Sequence, residues 1–135
     1  MGTIIVVPLV LKICPPVQNP EINALFASAW PQHKPTDFEP LLVSALFYVC
    51  AFEHDRLVGF AKVIGDGGVH GFLLDPTVAA DRQRRGIGKS LVELCSDEAR
   101  RRDIEWLHVD FAPELANFYS ACGFATTSAG LRNLR

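Results

Sequence analysis

The sequence has no apolar run long enough to cross a bilayer. Ile4 to Val10 is the nearest candidate, far short of the roughly 20 residues a spanning helix needs. No basic region precedes it, so a secretory signal is not expected. After Met1-Gly2, Val6 stands where a myristoylation motif requires Ser or Thr. Cys-x-x-Cys spacing is also absent. The cysteines at 14, 50, 95 and 122 fall inside predicted elements or at their ends. They are read as reduced, mostly buried thiols of a cytoplasmic protein rather than as disulfides or a zinc site. His70 and His108 lie on predicted strands apart from other ligand types, so both are read as structural and no metal is expected. Neither charge is in excess, and a net −2 argues against a general nucleic-acid binder despite a local basic cluster. Repeats and low-complexity segments are lacking. What remains is a soluble globular composition, 49% apolar and 21% charged, over 135 residues. That length makes one domain, residues 1–135, with enough chain to bury a proper core.

Thr3 to Ile13 is rich in Ile, Val and Leu and reads as a strand, with Pro8 marking an edge or bulge. Asn19 is the expected cap of a first helix, with Pro20 at its first position and Ile22, Leu25, Phe26 and Ala29 on one face. Thr36-Asp37-Phe38-Glu39 has the form of a capping box for a second helix, whose inner face is Phe38, Leu41, Leu42 and Ala45. Strands are expected at 47–52 and 57–64, joined by a hairpin turn at His54-Asp55, and again at about 69–78. Then comes a long helix, a strand from Ile104 to Asp110, and a helix opened by Ala112-Pro113-Glu114 with Leu115, Phe118, Tyr119 and Cys122 on its apolar face. Gly123 is its expected left-handed cap, and Phe124 to Thr127 begins a last strand. Consecutive strands joined by tight turns pair antiparallel, while strand–helix–strand units favour parallel pairing. A mixed sheet with helices on both faces follows.

The stretch with most chemistry runs from Val78 to Ser90. An apolar strand precedes it, and a helix with Ile87, Leu91, Leu94, Cys95 and Ala99 at 3.6-residue spacing follows. Gly86 and Gly88 allow a tight turn and close backbone approach. A strand that passes through such a turn into a helix leaves amide N–H groups unpaired at the positive end of the helix dipole. That is a cradle for a pyrophosphate, with Arg82, Arg84, Arg85 and Lys89 around it. It is neither a P-loop nor the Gly-x-Gly-x-x-Gly dinucleotide fingerprint.

Gln83-Arg84-Arg85-Gly86-Ile87-Gly88 resembles the acyl-CoA signature of the GNAT N-acetyltransferase superfamily, Gln/Arg-x-x-Gly-x-Gly/Ala. The predicted order of elements also resembles that family's, so the likeness covers nearly the whole chain. It implies a mixed, mostly antiparallel α/β sheet of six to seven strands flanked by about four helices, with the two middle strands splayed where cofactor and acceptor meet. It implies acetyl-CoA as co-substrate, held by Val78, Ala79, Ala80, Gln83, Arg84, Arg85, Gly86, Ile87, Gly88, Lys89 and Ser90. Arg82 and Gln83 would reach the outer phosphates. Ala80 stands where the family often has Pro.

Phe118-Tyr119 through Gly123-Phe124 resembles the family's Phe-Tyr-x-x-x-Gly-Phe segment, which implies a catalytic Tyr119 whose hydroxyl lies near the cofactor sulfur. A core tyrosine with a satisfied hydroxyl would look the same in sequence. Many members carry an acidic pair four and three residues before the Val78 position, and here those residues are Leu74 and Asp75. Asp75 can bind a cationic acceptor, serve as base through a water, or cap the Pro76-Thr77 bend. The family's acceptor pocket maps to Trp30 through Asp37, where Trp30 and His33 are candidate substrate contacts. Their alternatives are a Trp packed on the core and a solvated loop His. Asp110 either lines the acceptor site or caps the following helix. Two carboxylates near the site point to a small cationic amine as acceptor. The resemblance thus implies direct acetyl transfer to a primary amine of a small molecule, and a homodimer. The alternative is a non-catalytic module that binds CoA, another anion, or a partner protein.

Overall fold

The computed structural model describes residues 8–135. The expected strand residues Thr3 to Val7 lie outside them. Along the chain come β1 (Leu9–Ile13), α1 (Asn19–Ala29), α2 (Glu39–Ser44), β2 (Phe47–Glu53), β3 (Arg56–Gly65), β4 (His70–Val78), α3 (Ile87–Arg101), β5 (Trp106–His108) and α4 (Ala116–Ala121). Short 3₁₀ turns at Ala80–Arg82 and Pro113–Leu115 precede α3 and α4. The sheet has five strands in the order β1-β2-β3-β4-β5, antiparallel except for the β4–β5 pair, which is parallel. β1 is an edge strand, the first of the two places, edge or bulge, that Pro8 allows.

Adjacent residues of a strand face opposite sides of the sheet, and β3 shows which helix lies where. Phe60 meets Phe26 of α1 edge-on at 5.7 Å, while Gly59 faces Leu91 and Ile87 of α3. Ile22, Leu25 and Phe26 of α1 are buried on one side, and Ile87, Leu91, Val92, Cys95 and Ala99 of α3 on the other. Gly59 sets how closely α3 can approach. A Cβ there would lie 2.9 Å from Leu91 Cδ1, 3.1 Å from Ala51 Cβ and 3.2 Å from Ile87 Cγ2. Gly59→Val therefore overpacks the joint, and the expected loss is about 1–3 kcal/mol of stability. Thermal melting checks this, and an unchanged midpoint would contradict the packing.

Several expectations are corrected. The sheet has five strands among the described residues rather than six or seven, because Phe124 to Thr127 forms no ladder and is not a strand. The strand expected over Ile104 to Asp110 is only Trp106–His108. Leu115 and Leu41 are exposed rather than on inner faces. The cap of α1 is Gln18, whose N–H donates to Glu21 Oε1 at 2.7 Å. Asn19 instead secures the second helix: its Oδ1 accepts the Phe38 N–H at 2.9 Å and its Nδ2 donates to Asp37 Oδ1 at 3.0 Å. No capping box forms at Thr36, whose hydroxyl donates to Lys34 O, and Asp37 Oδ1 accepts the Glu39 N–H at 3.2 Å.

Candidate active site

The site begins with a break in the sheet. β4 and β5 pair only through His70↔Trp106, Gly71↔Leu107 and Phe72↔His108, where His70 Nδ1 and His108 Nε2 are 2.7 Å apart. β4 then continues through Leu73–Val78 without β5 beside it, so the two parallel strands part. On its other edge β4 bulges. Phe60 pairs with Thr77 and Lys62 with Leu74, so Asp75 and Pro76 together oppose the single residue Ala61. Asp75 is left-handed in this bulge, with φ 55°.

The end of β4 feeds the cradle. Ala79 N–H donates to Val58 O at 2.8 Å, closing the ladder to β3. Successive amides of an extended chain point to opposite edges, so the Val78 N–H is left on the splayed side. The Ala80 N–H donates to Ser28 Oγ of α1 at 3.2 Å. Gln83 Nε2 donates back to Val78 O at 3.2 Å and ties the two ends of the turn. Arg84 at φ 64° and Gly86 at φ 83° are both left-handed and flank Arg85, an alternation that makes amides converge on one spot. In α3, Ser90 N–H donates to Gly86 O at 3.1 Å. The amides of Ile87, Gly88 and Lys89 meet no acceptor among the described residues. A Cβ on Gly86 would find no atom within 4 Å, so the space over the turn is open.

The basic residues divide. Arg84 and Arg85 are exposed and enter no ion pair among the described residues, and Lys89 is only loosely paired, 4.0 Å from Glu93. Arg82 is not available to phosphates, contrary to expectation. Its Nε binds Glu53 at 2.7 Å and its Nη1 binds Asp81 at 3.0 Å, strapping the turn to the β2–β3 hairpin. Asp81 also binds Arg56 at 2.8 Å, and this guanidinium holds its carboxyl below the usual range.

α4 lies against the cradle. A Cβ on Gly88 would be 3.5 Å from Phe118 Cζ and 3.7 Å from Val78 Cγ2. Gly123, at φ 94°, is the expected left-handed cap. Tyr119 is 4% exposed, its ring stacked on Phe111 at 4.7 Å and edge-on to Phe124 at 5.8 Å. Its hydroxyl has no hydrogen bond among the described residues, yet every fully buried side-chain polar atom there has a partner. The hydroxyl therefore reaches solvent, which separates Tyr119 from a core tyrosine with its polar end satisfied. Burial, reinforced by nearby Cys122 and Asp110, pushes its pKa up. Asp110 is exposed, and the residue capping the next turn is Ala112 rather than Asp110.

The other face of the bulge carries the acceptor candidates. Trp30 is half exposed rather than packed into the core, and its Nε1 donates to Thr77 Oγ1 at 3.1 Å. Thr77 Oγ1 in turn donates to Asp75 O at 2.9 Å, so the bend is capped through this hydroxyl. The Asp75 carboxylate points elsewhere, to Lys62 Nζ at 3.3 Å. His33 belongs to the scaffold of its loop: Nε2 lies 2.8 Å from Asn23 Oδ1, and the ring stacks on Phe26 at 5.7 Å. Lys62 was missed in the sequence. A lone Lys in the apolar run Leu57 to Ile64 was the available signal, since a buried charge needs a partner.

The sequence profile of the Acetyltransferase (GNAT) family matches residues 19–124, from the start of α1 to just past the cap of α4. The chain belongs to the GNAT family. It is 30% identical over 78 residues to the uncharacterised N-acetyltransferase ycf52 of Gracilaria tenuistipitata var. liui, covering 58% of this chain and 43% of that protein. With GCN5-related N-acetyltransferase 1, chloroplastic, of Arabidopsis thaliana it shares 26% identity over 117 residues, 84% of this chain and 59% of the relative. The chain thus spans about half the length of these curated relatives. Its fold matches a GNAT-family acetyltransferase of Streptococcus pneumoniae TIGR4 with a TM-score of 0.75 at 22% identity, over 95% of this chain and 100% of that one. It also matches the aminoglycoside N-acetyltransferase AAC(6')-Iy, solved in complex with CoA, with a TM-score of 0.76 at 19% identity over 95% of each chain. Against the GNAT pattern, Leu74 leaves Asp75 as the one carboxylate of the usual pair.

Proposed function

We propose that this protein is an acetyl-CoA-dependent N-acetyltransferase acting directly on a primary amine of a small molecule. The observation that carries the reading is the set of amides at Ile87 to Lys89, unpartnered among the described residues, under an open space where two parallel strands part. These donors, with exposed Arg84 and Arg85, fit a pyrophosphate. When bound, acetyl-CoA supplies a thioester whose C–S bond breaks as the acceptor nitrogen forms the new C–N bond. The Val78 N–H, on the splayed edge, is the donor for the carbonyl oxygen. Tyr119 gives its proton to the departing sulfur. Asp75 takes the proton lost by nitrogen, directly or through water. Trp30 forms the apolar wall for the acceptor, with His33 and Asp110 as further polar contacts.

Direct transfer is favoured by the thiols. Burial pushes the Cys50 and Cys95 thiols up to about 12, and raises Cys122 as well, so none of these three is a ready nucleophile at neutral pH. All four cysteines are free, which suits a reducing compartment. Incubation with acetyl-CoA and a panel of small primary amines, followed by mass spectrometry, tests the reading. An acetylated amine is the expected product. Acetyl-CoA bound with no amine acetylated would contradict it.

A further inference from the structure

Lys62 is a charged residue in the middle of a buried strand, and the proposed reaction gives it no role. It is 7% exposed overall, and its register partners are Tyr48 on β2 and Leu74 on β4. It lies two residues after Phe60, so it shares the sheet face covered by α1. Thr77, the register partner of Phe60, is on that face too, and carries Trp30. The Lys62 stem is therefore buried, and its ammonium emerges at the bulge, 3.3 Å from Asp75 Oδ2. Asp75 is the half-exposed end of this pair, with 54% of its side chain accessible.

Stability does not account for the arrangement. Desolvating a lysine costs about as much as one ion pair returns, and an apolar residue would serve the strand as well. Asp75 meets the ammonium as an ion pair at 3.3 Å, and an ammonium carries three donors, so donors are left for a ligand. The charge at the bulge is thus balanced rather than negative. A simple cationic amine attracted to Asp75 would meet the Lys62 charge within a few ångströms. A group bearing both charges meets no such conflict.

Resting on the acetyltransferase reading, we infer that the acceptor is an amine with a carboxylate beside it, of the α-amino-acid class, its carboxylate bound by Lys62 and its amine held at Asp75. The side chain of such an acceptor lies along Trp30. The bonds made and broken are those of the transfer already described. Lys62 binds and orients, and gives up no proton.

The test compares phenylalanine, phenylalaninamide and phenethylamine as acceptors, and likewise lysine, lysinamide and cadaverine. Wild-type protein should acetylate the free amino acids at least tenfold more efficiently, in kcat/KM, than the amides or the decarboxylated amines. In Lys62→Met this preference should vanish through KM, with acetyl-CoA affinity unchanged, and Lys62→Arg should retain it. A wild-type preference for acceptors without the carboxylate overturns the inference, as does a preference that survives in Lys62→Met. Turnover of none of the six with acetyl-CoA bound also overturns it. Failure to bind acetyl-CoA at all is a different result, and it overturns the acetyltransferase reading itself. The wild-type comparison stands even if a variant does not fold.

Discussion

Tyr119→Phe should lower kcat by roughly a hundred- to a thousandfold, the scale of a lost general acid, and leave acetyl-CoA affinity unchanged. The ring keeps its stack on Phe111 and its contact with Phe124, so folding is not at stake. Only the hydroxyl is removed, and nothing in the described fold bonds to it. Burial favours the neutral phenol and moves its pKa above the ordinary value near 10. The acid form is therefore fully populated through neutral pH. It is lost only as pH rises through the raised value. The wild-type rate should fall on that alkaline limb, and the limb should be missing from the variant. Equal kcat for the two proteins would return Tyr119 to a packing role.

Gly86→Val should abolish acetyl-CoA binding while leaving a folded protein. Gly86 caps α3 at φ 83°, a conformation that a β-branched residue adopts only under strain of about 1–3 kcal/mol. The new side chain meets no protein atom within 4 Å of its Cβ, so nothing in the fold is displaced. What it fills is the space over the unpartnered amides. A titration that shows undiminished affinity, on a sample with a cooperative melt, would remove the cradle from this turn.

Much of this was legible in the residues alone, where the signal is local. Ile87, Leu91, Cys95 and Ala99 recur at helical spacing and are all buried in α3. The hairpin turn at His54-Asp55 and the left-handed cap at Gly123 are where short-range rules put them. Elements that depend on a distant partner were less legible. β5 is three residues long because its ladder to β4 ends at His108, although apolar residues continue beyond it. Phe124 to Thr127 has strand propensity but no ladder, and propensity does not make a pair.

Side chains behaved likewise. Asn19 looks like a cap for the helix it begins, yet it bonds residues 37 and 38, which only the packed fold brings near. Trp30 reads as an acceptor contact or as a Trp packed on the core, and what sets its half-exposed place is an indole N–H drawn to Thr77, 47 residues on. In sequence, Asp75 admits three roles. The Thr77 hydroxyl removes the capping one, and the bulge turns the carboxylate to Lys62. Arg82 shows the reverse case, a residue of the basic cluster whose charge is consumed by Glu53 from another strand.

The central claim is that the turn between β4 and α3 holds acetyl-CoA, and isothermal titration tests it most directly. Acetyl-CoA, CoA and ATP would be titrated in turn into the purified protein. Binding of both CoA species in the micromolar range usual for enzyme substrates, with none for ATP, is the result predicted. No binding of either CoA species would contradict it, and would mean that this chain keeps the fold without the chemistry.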